Sequence, residues 1–384
     1  MIVHAERKLF KKTAVLTLFV IIAFTSEGIN VYASEEFDIQ SQYEASGAGE
    51  VFGELPESVI SGLDNAGIDT GNIYSAENFN SADVMNSLIS MTGEEINAPI
   101  AALGIVIALL LFASVCRGGE SALTSSMSPS LNAVISLSVG ITLVVPVADL
   151  IDSANETTET ACRFTESFGA AFAGILIANG QSATAASYSA FLTGAINASS
   201  LCAGEIIMPM LRIFLALSCV SAISGSVRID AVIRFFEKYA KWLLGFLAAI
   251  ITTVLSISGI ISASADSVGA RTAKFIISGS VPVVGGAVSD AYLSIKSGMT
   301  MLRNSVGAFG IIATAYIFLP VIIRTFLWSF VAGIGEAVCD SMELSDLQKL
   351  MKSISETLSL LIGVVVFSLF LLILGGILVM TIAK

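Results

Sequence analysis

Several apolar runs in the sequence are as long as the hydrocarbon core of a membrane is thick. The clearest are residues 100–116, 242–261 and 358–382. A helix of about 20 apolar residues crosses a bilayer. Only 13% of the residues are charged, against roughly 25% in a soluble domain. The sequence therefore predicts an all-α fold, a polytopic transmembrane helical bundle.

The N-terminus carries the features of a secretory signal peptide. Basic residues come first: Arg7, Lys8, Lys11 and Lys12. An apolar core, 13–24, follows, and Val31-Tyr32-Ala33 fits a small-residue cleavage site. We predict a signal peptide over 1–33, with an uncleaved anchor as the alternative. Cleavage would remove His4, the only histidine, and with it any Ser-His-Asp triad or His-ligated metal site.

The next segment, 34–97, is acidic and contains no Lys or Arg. Its position after a signal peptide and its lack of basic residues predict a short extracytoplasmic segment. Two stretches, 55–63 and 81–91, are amphipathic and indicate partial helicity. The segment is either a solvated acidic spacer or a specific binding site. The remaining residues, 98–384, form the multi-span transmembrane domain.

The basic residues predict which ends of the spans face the cytoplasm. The resulting threading has seven spans: 100–116, 131–150, 206–227, 242–262, 275–295, 305–330 and 358–382. It places an acidic loop, 152–166, outside and a basic loop with Lys296 and Arg303 inside. The N-terminus lies outside and Lys384 lies in the cytoplasm. Residues 168–203 are interrupted near Asn179-Gly180-Gln181. They form either a hairpin of two helices, which raises the count to nine, or a re-entrant pair, or helices that lie outside the membrane.

A stripe of small side chains recurs at every fourth residue of that segment: Ala186, Ala190, Gly194, Ala198 and Cys202. On a helix these residues share one face, which allows another backbone to approach closely. The stripe predicts close helix packing, either within the protein or between subunits, with the chance spacing of an Ala/Ser-rich segment as the alternative.

Helix-breaking residues and a carboxylate coincide in 274–307. Pro282 is followed by Gly285 and Gly286 and then by Asp290. Proline removes a helical hydrogen bond, and freed carbonyls inside a membrane require protein or water around them. We predict a broken helix bordering a polar space, with Asp290 paired to Arg303 or Arg324. The alternative is a kinked packing helix with Asp290 near an interface.

Two further arginines lie inside predicted spans. Arg212 follows Pro209, and Arg324 follows Pro320. Ionisable groups at bilayer depth usually face protein or water, so both are candidate lumen or packing residues; snorkelling to the headgroups is the alternative. The chain has no phosphate-binding glycine loop, and a net charge of −12 argues against nucleic-acid binding. We predict no enzymatic activity and no cofactor.

Two motifs, VPVVGGAVSDA at 281–291 and RNSVGAFGI at 303–311, resemble the stage III sporulation protein AE family. The signal-like N-terminus, the acidic outer segment and the polytopic remainder match the layout of that family. Its members have no catalytic motif to carry over to this chain.

The resemblance implies a multi-pass protein of the mother-cell membrane that surrounds the forespore in endospore-forming bacteria. It implies a non-enzymatic subunit of a channel or secretion complex needed for late forespore gene expression. The implied partners are other stage III sporulation membrane proteins, the forespore stage II sporulation protein Q through the complex, the lipid bilayer and further copies of the chain. Two alternatives stay open: a self-sufficient secondary transporter that uses Asp290, Arg212 and Arg324, and a scaffold that only anchors partners.

Overall fold

The computed structural model describes residues 55–68, 86–87, 93–118, 128–224, 235, 238–240, 242–243, 245–246, 249, 253 and 285–382. Within them every regular element is helical, which confirms the all-α prediction. The predicted signal peptide, Pro282 and most of the predicted span 242–262 lie outside the described residues.

Seven α-helices are described, two of them more than 50 residues long. A short 3₁₀ turn, Gly93–Ile96, precedes α2, and a π-helical segment, Ser200–Ile207, joins α4 to α5 without a break. The α-helices are α1 Glu57–Asn65, α2 Asn97–Gly118, α3 Ser128–Ala178, α4 Ser182–Ser199, α5 Met208–Ser224, α6 Gly285–Ser341 and α7 Ser345–Ile382.

The rod formed by α4, the π segment and α5 folds back along α3. Gly169 of α3 packs against Leu192 of α4, and Gly140 of α3 lies opposite Cys219 of α5. Rising residue numbers on one helix thus meet falling numbers on the other, which is the signature of an antiparallel hairpin. The turn lies at 179–181, where Gly180 has φ +73°, a conformation that glycine adopts without strain. The predicted interruption at this position is confirmed.

Helices α6 and α7 form a second hairpin that packs on α3. Its turn, 342–344, contains Glu343 with φ 56°. Gly335 of α6 faces Met351 of α7 and Val106 of α2, and Gly310 faces Phe168 of α3. Helix α3 contacts α2, α4, α5, α6 and α7. It is therefore the central element of the described bundle.

Within the part of the chain that the structure describes, five helical stretches are long and apolar enough to cross a membrane: Asn97–Cys116, Val134–Ala178, Ser182–Val220, Arg303–Ser341 and Ser345–Leu374. Many large apolar side chains on them point outward, including Phe112, Ile141, Ile213 and Phe326. Such exposure is costly in water but is the normal state of a lipid-facing helix surface. The longest, Val134–Ala178, has 45 residues, or about 68 Å of helix, which is more than twice the hydrocarbon thickness.

The charge pattern predicted two loops between spans. Both predictions are wrong, because the described residues at these positions are helical. The acidic loop at 152–166 is part of the uninterrupted α3, and the basic loop with Lys296 and Arg303 is part of the uninterrupted α6. The distribution of charges shows where polar residues lie along the chain. It does not show where a helix ends, because a helix continues through charged residues as long as its opposite face is buried. In α3 the charged residues alternate with buried ones, so one side of the helix stays packed in the core through the charged stretch.

A described helix of the acidic segment 34–97 packs on the bundle. Helix α1 contacts α6, and its apolar side chains Val59 and Leu63 are buried. The hydroxyl of Ser87 donates a hydrogen bond to the carbonyl of Gly62. A nine-residue helix is too short to persist alone in water, so the contact with α6 stabilises it. The side of the membrane on which this segment lies stays a prediction.

Candidate functional site: the charged face of α3

The middle of α3 carries a charged face. Its six charged residues are all exposed: Asp149, Asp152, Glu156, Glu159, Arg163 and Glu166. The intervals between them alternate between three and four residues, so the side chains lie on one side of the helix. The face extends over 18 residues, or about 27 Å of helix. It is acidic overall and lies inside the stretch Val134–Ala178.

The opposite side of the same turns is packed into the core. Ile151, Ala154 and Ala161 are fully buried, and so is Phe164. The buried Thr158 and Thr165 donate their hydroxyl hydrogen bonds to the carbonyls of Ala154 and Ala161, each four residues back. These threonines need no outside partner. The two sides of α3 therefore differ sharply in polarity, and burial of one side fixes the direction of the other.

Three side-chain contacts organise the charged face. Arg212 of α5 forms an ion pair with Asp152, both side chains being more than half exposed. The amide of Asn155 donates to Oε1 of Glu159 at 3.2 Å, and Arg163 donates to Oγ1 of Thr160 at 3.3 Å. An exposed ion pair of this kind contributes less than about 1 kcal/mol. Arg212, a candidate lumen residue, thus reaches the charged face from the neighbouring helix.

The small-residue stripe of α4 does not face the described core. Ala186, Ala190 and Gly194 are exposed and Ala198 is half-buried. The buried side of α4 is a different one, formed by residues such as Tyr188, Phe191 and Ala195. Ala186, Ala190 and Gly194 therefore lie away from the described core, whereas Ala198 packs against it; contact of the stripe with another subunit stays a prediction.

Gly194→Leu tests whether the stripe contacts another subunit. No described atom lies within 4 Å of a side chain built at Gly194, so we expect the variant protein to fold normally. If the stripe packs on a second subunit, the leucine should reduce assembly at least fivefold, as measured by native electrophoresis in mild detergent. Thr193→Leu is the matched control, because Thr193 is exposed on the same helix. Equal assembly of both variants would contradict packing through the stripe.

Arg303 is a buried cation at the end of the α3–α4 hairpin. Only 2% of the surface of this residue is exposed to solvent. Nη1 donates to Oε1 of Gln181 at 3.3 Å, while Nη2 and Nε donate to Oδ1 of Asn304 at 3.1 Å and 3.4 Å. The guanidinium thereby links α6 to the turn between α3 and α4. These partners are neutral amides, which satisfy the donors without neutralising the charge.

The predicted pairing of Asp290 with an arginine of α6 is wrong. Helix α6 is continuous from Gly285 to Ser341, and Asp290 precedes Arg303 by 13 residues, or about 20 Å along the axis. Arg324, a half-buried residue of α6, is farther still. Both arginines lie on the same continuous helix as Asp290, so their backbone positions are farther from it than an arginine side chain extends.

The predicted break of the helix is only partly within the described residues. Gly285 and Gly286 form the first turn of α6, and so they do not interrupt the helix. Pro282 lies outside the described residues. The polar space that this break would border stays a prediction.

The charged face is the feature that analysis of the sequence missed. The charge of the acidic residues, considered alone, predicts a loop between two spans. The signal that would have identified the face is the spacing of Asp149, Asp152, Glu156 and Glu159, which repeats with helical periodicity. Apolar residues such as Ile151 and Phe164 fill the intervals, which is the pattern of an amphipathic helix.

Comparison with known proteins gives one family. The family described as "Stage III sporulation protein AE (spore_III_AE)" matches residues 70–383. The chain is 24% identical over 283 residues to the stage III sporulation protein AE of Bacillus subtilis (strain 168), which covers 72% of this chain and 71% of the relative. No solved structure matches the chain. The family match includes all of α2 to α7, and the chain belongs to the stage III sporulation protein AE family.

Proposed function

We propose that the protein is a non-enzymatic, membrane-embedded subunit of a channel or secretion complex that links the mother cell and the forespore. The family supports a role in stage III of sporulation. The observation that carries the channel role is the charged face of α3. Charged side chains facing lipid are costly, so wherever this face of about 27 Å lies at membrane depth, water or a polar protein surface must lie opposite it.

A water-filled conduit supplies that environment. The five apolar stretches would enclose the conduit against lipid, and several copies or partner subunits would complete its wall. Its partners would be other stage III sporulation membrane proteins, and stage II sporulation protein Q through the complex. The protein would lie in the mother-cell membrane around the forespore, with its N-terminus outside and its C-terminus in the cytoplasm.

Neutralising the charged face tests this function. We expect Glu156→Gln, Glu159→Gln and Glu166→Gln together to lower a late forespore reporter at least tenfold in the protein's own sporulating host, at unchanged protein level by immunoblot. The exposed residues Asp340→Asn and Asp346→Asn, at the α6–α7 turn, are the matched control and should leave the reporter unchanged. Normal reporter activity in the triple variant would contradict the role of the face.

Purification separates the complex from a self-sufficient transporter. The wild-type protein, extracted from sporulating cells in mild detergent, should bring other sporulation membrane proteins with it. A protein that purifies alone and moves a solute across liposomes would instead support the transporter. The ion pair between Arg212 and Asp152 is the structural feature that fits this second candidate, since opposed charges on two helices are common in transport pathways.

A further inference from the structure

We infer that an exposed row of aromatic side chains at 235–246 is a contact surface for the headgroup region of a bilayer that contains anionic phospholipid. The aromatic row consists of Phe235, Tyr239, Trp242 and Phe246, and the exposed Lys238 lies beside it. This surface is defined by the local structure of one helical stretch and by the charge of the adjoining sequence. It does not depend on the proposed channel role.

The exposed side chains of this stretch repeat with helical periodicity. Phe235, Tyr239, Trp242 and Phe246 are helical residues spaced by four, three and four positions, which places them on one side of a helix. Each of them is between 49% and 61% exposed. Ala240 points away from the row and is buried in the hydrophobic core. Contact with the bundle on that side therefore directs the aromatic row outward.

The four rings contact one another along the helix. The ring centroids of Phe235 and Tyr239 are 4.3 Å apart, and Trp242 stacks on Phe246 with a centroid distance of 5.1 Å. Tyr239 and Trp242, three residues apart, are neighbours on the helix surface. The rings thus form a continuous aromatic surface, in which each ring is held by the next.

Two of the residue types in the row favour the boundary between a bilayer and water. Tyr and Trp combine an apolar ring with a hydrogen-bonding group, and they are enriched at the headgroup level of membrane proteins. Elsewhere among the side chains that the structure describes, Tyr188, Tyr316 and Trp328 are buried. The exposed phenol and the exposed indole therefore occur together, at 239 and 242.

The sequence around the row changes from basic to apolar. Residues 228–241 contain two acidic side chains and four basic ones: Arg228, Arg234, Lys238 and Lys241. The apolar run 242–261 follows directly, so the row extends across the boundary between the two. A basic segment next to an apolar run is attracted to anionic headgroups, whereas a zwitterionic headgroup carries no net charge. These features favour anionic lipid over a soluble protein partner.

Tryptophan fluorescence of the full-length protein in reconstituted vesicles measures the depth of the row. The chain has two tryptophans, and Trp328 is buried, so the difference between the wild type and Trp242→Phe isolates the signal of Trp242. Phosphatidylcholine brominated near the glycerol end of its acyl chains should quench this signal at least twofold more strongly than phosphatidylcholine brominated near the methyl end, because an indole at headgroup level lies far from the bilayer centre.

Two results of this measurement would overturn the proposal. Stronger quenching by the lipid brominated near the methyl end would place Trp242 in the hydrocarbon core. No quenching by either lipid would show that water or a protein surface covers the row instead of lipid.

A second series of vesicles tests the preference for anionic lipid. As a minor component, brominated phosphatidylglycerol should quench Trp242 at least twofold more strongly than brominated phosphatidylcholine. Lys238→Gln should weaken this preference, and Lys238→Glu should weaken it further, because each lowers the positive charge beside the rings. Lys352→Gln, which removes an exposed lysine of α7, is the control and should retain it. Equal quenching by the two lipids in the wild type would contradict the preference, and so would an unchanged preference in Lys238→Glu.

Discussion

Gly310→Ala is expected to destabilise the protein by about 1–3 kcal/mol, the range of overpacking substitutions in cores, and Gly310→Leu should prevent stable folding. A Cβ atom at Gly310 would stand 2.3 Å from two carbon atoms of the Phe168 ring. The ring cannot move aside easily, because it stacks between Phe164 and Phe172 with centroid distances of 5.6 Å and 5.8 Å. The contact joins α6 to the central helix α3.

The same helix provides the control for this prediction. Gly333 of α6 has no described atom within 4 Å of a built Cβ. Gly333→Ala should therefore be neutral or stabilise the helix by up to about 1 kcal/mol, the ordinary propensity difference. Thermal unfolding in detergent and immunoblot level measure both variants. Phe168→Leu should partly rescue Gly310→Ala, since it removes the ring. If Gly310→Ala were as stable as Gly333→Ala, α3 and α6 would not approach as closely as described.

Arg303→Glu should be at least as damaging, with a cost of about 3–5 kcal/mol, the range for an uncompensated buried charge. The new carboxylate would face Oε1 of Gln181 and Oδ1 of Asn304, which now accept from the guanidinium. Acceptor would then face acceptor in a site that is 2% exposed. The expected results are loss of folded protein by immunoblot and a lower unfolding midpoint in detergent.

Two further variants separate charge from volume at this position. Arg303→Met keeps most of the side-chain volume and removes the charge, so it should be tolerated far better than Arg303→Glu. Arg163→Glu reverses the charge of an exposed arginine on α3 and should change stability by less than about 0.5 kcal/mol. Equal stability of Arg303→Glu and Arg163→Glu would show that Arg303 reaches water in the folded protein.

Helix α2 shows how much of the fold follows from local pattern. The apolar run 100–116 predicted a span, and the structure has a helix over Asn97–Gly118. The turn at 179–181 was equally visible, because Asn-Gly-Gln interrupts an Ala-rich stretch and glycine tolerates the positive φ observed at Gly180. In both cases a few neighbouring residues are sufficient, since helix entry and exit depend on hydrophobic run length and on the residue that ends the run.

Helix continuation across polar residues did not follow from local pattern. Lys296 and Arg303 interrupt the hydropathy of their region and were assigned to a loop, yet α6 passes through both. Arg303 is buried within α6, where Gln181, distant in sequence, accepts a hydrogen bond from its guanidinium. The predicted pairing of Asp290 with this arginine is wrong because both residues lie on the continuous helix α6, 13 residues apart.

The sequence by itself determined that this protein is helical, that it carries several membrane-length apolar stretches, and that its family motifs lie near 281–311. Only the tertiary structure decided what each polar or small residue faces. Gly310 and Gly333 are the same residue on the same helix, but one meets an aromatic ring and the other open space. Asp152 to Glu166 form a helix face because the intervening residues are buried by α4 to α7. Such burial depends on contacts between residues far apart in the chain, whereas periodicity and run length are local properties that the sequence displays directly.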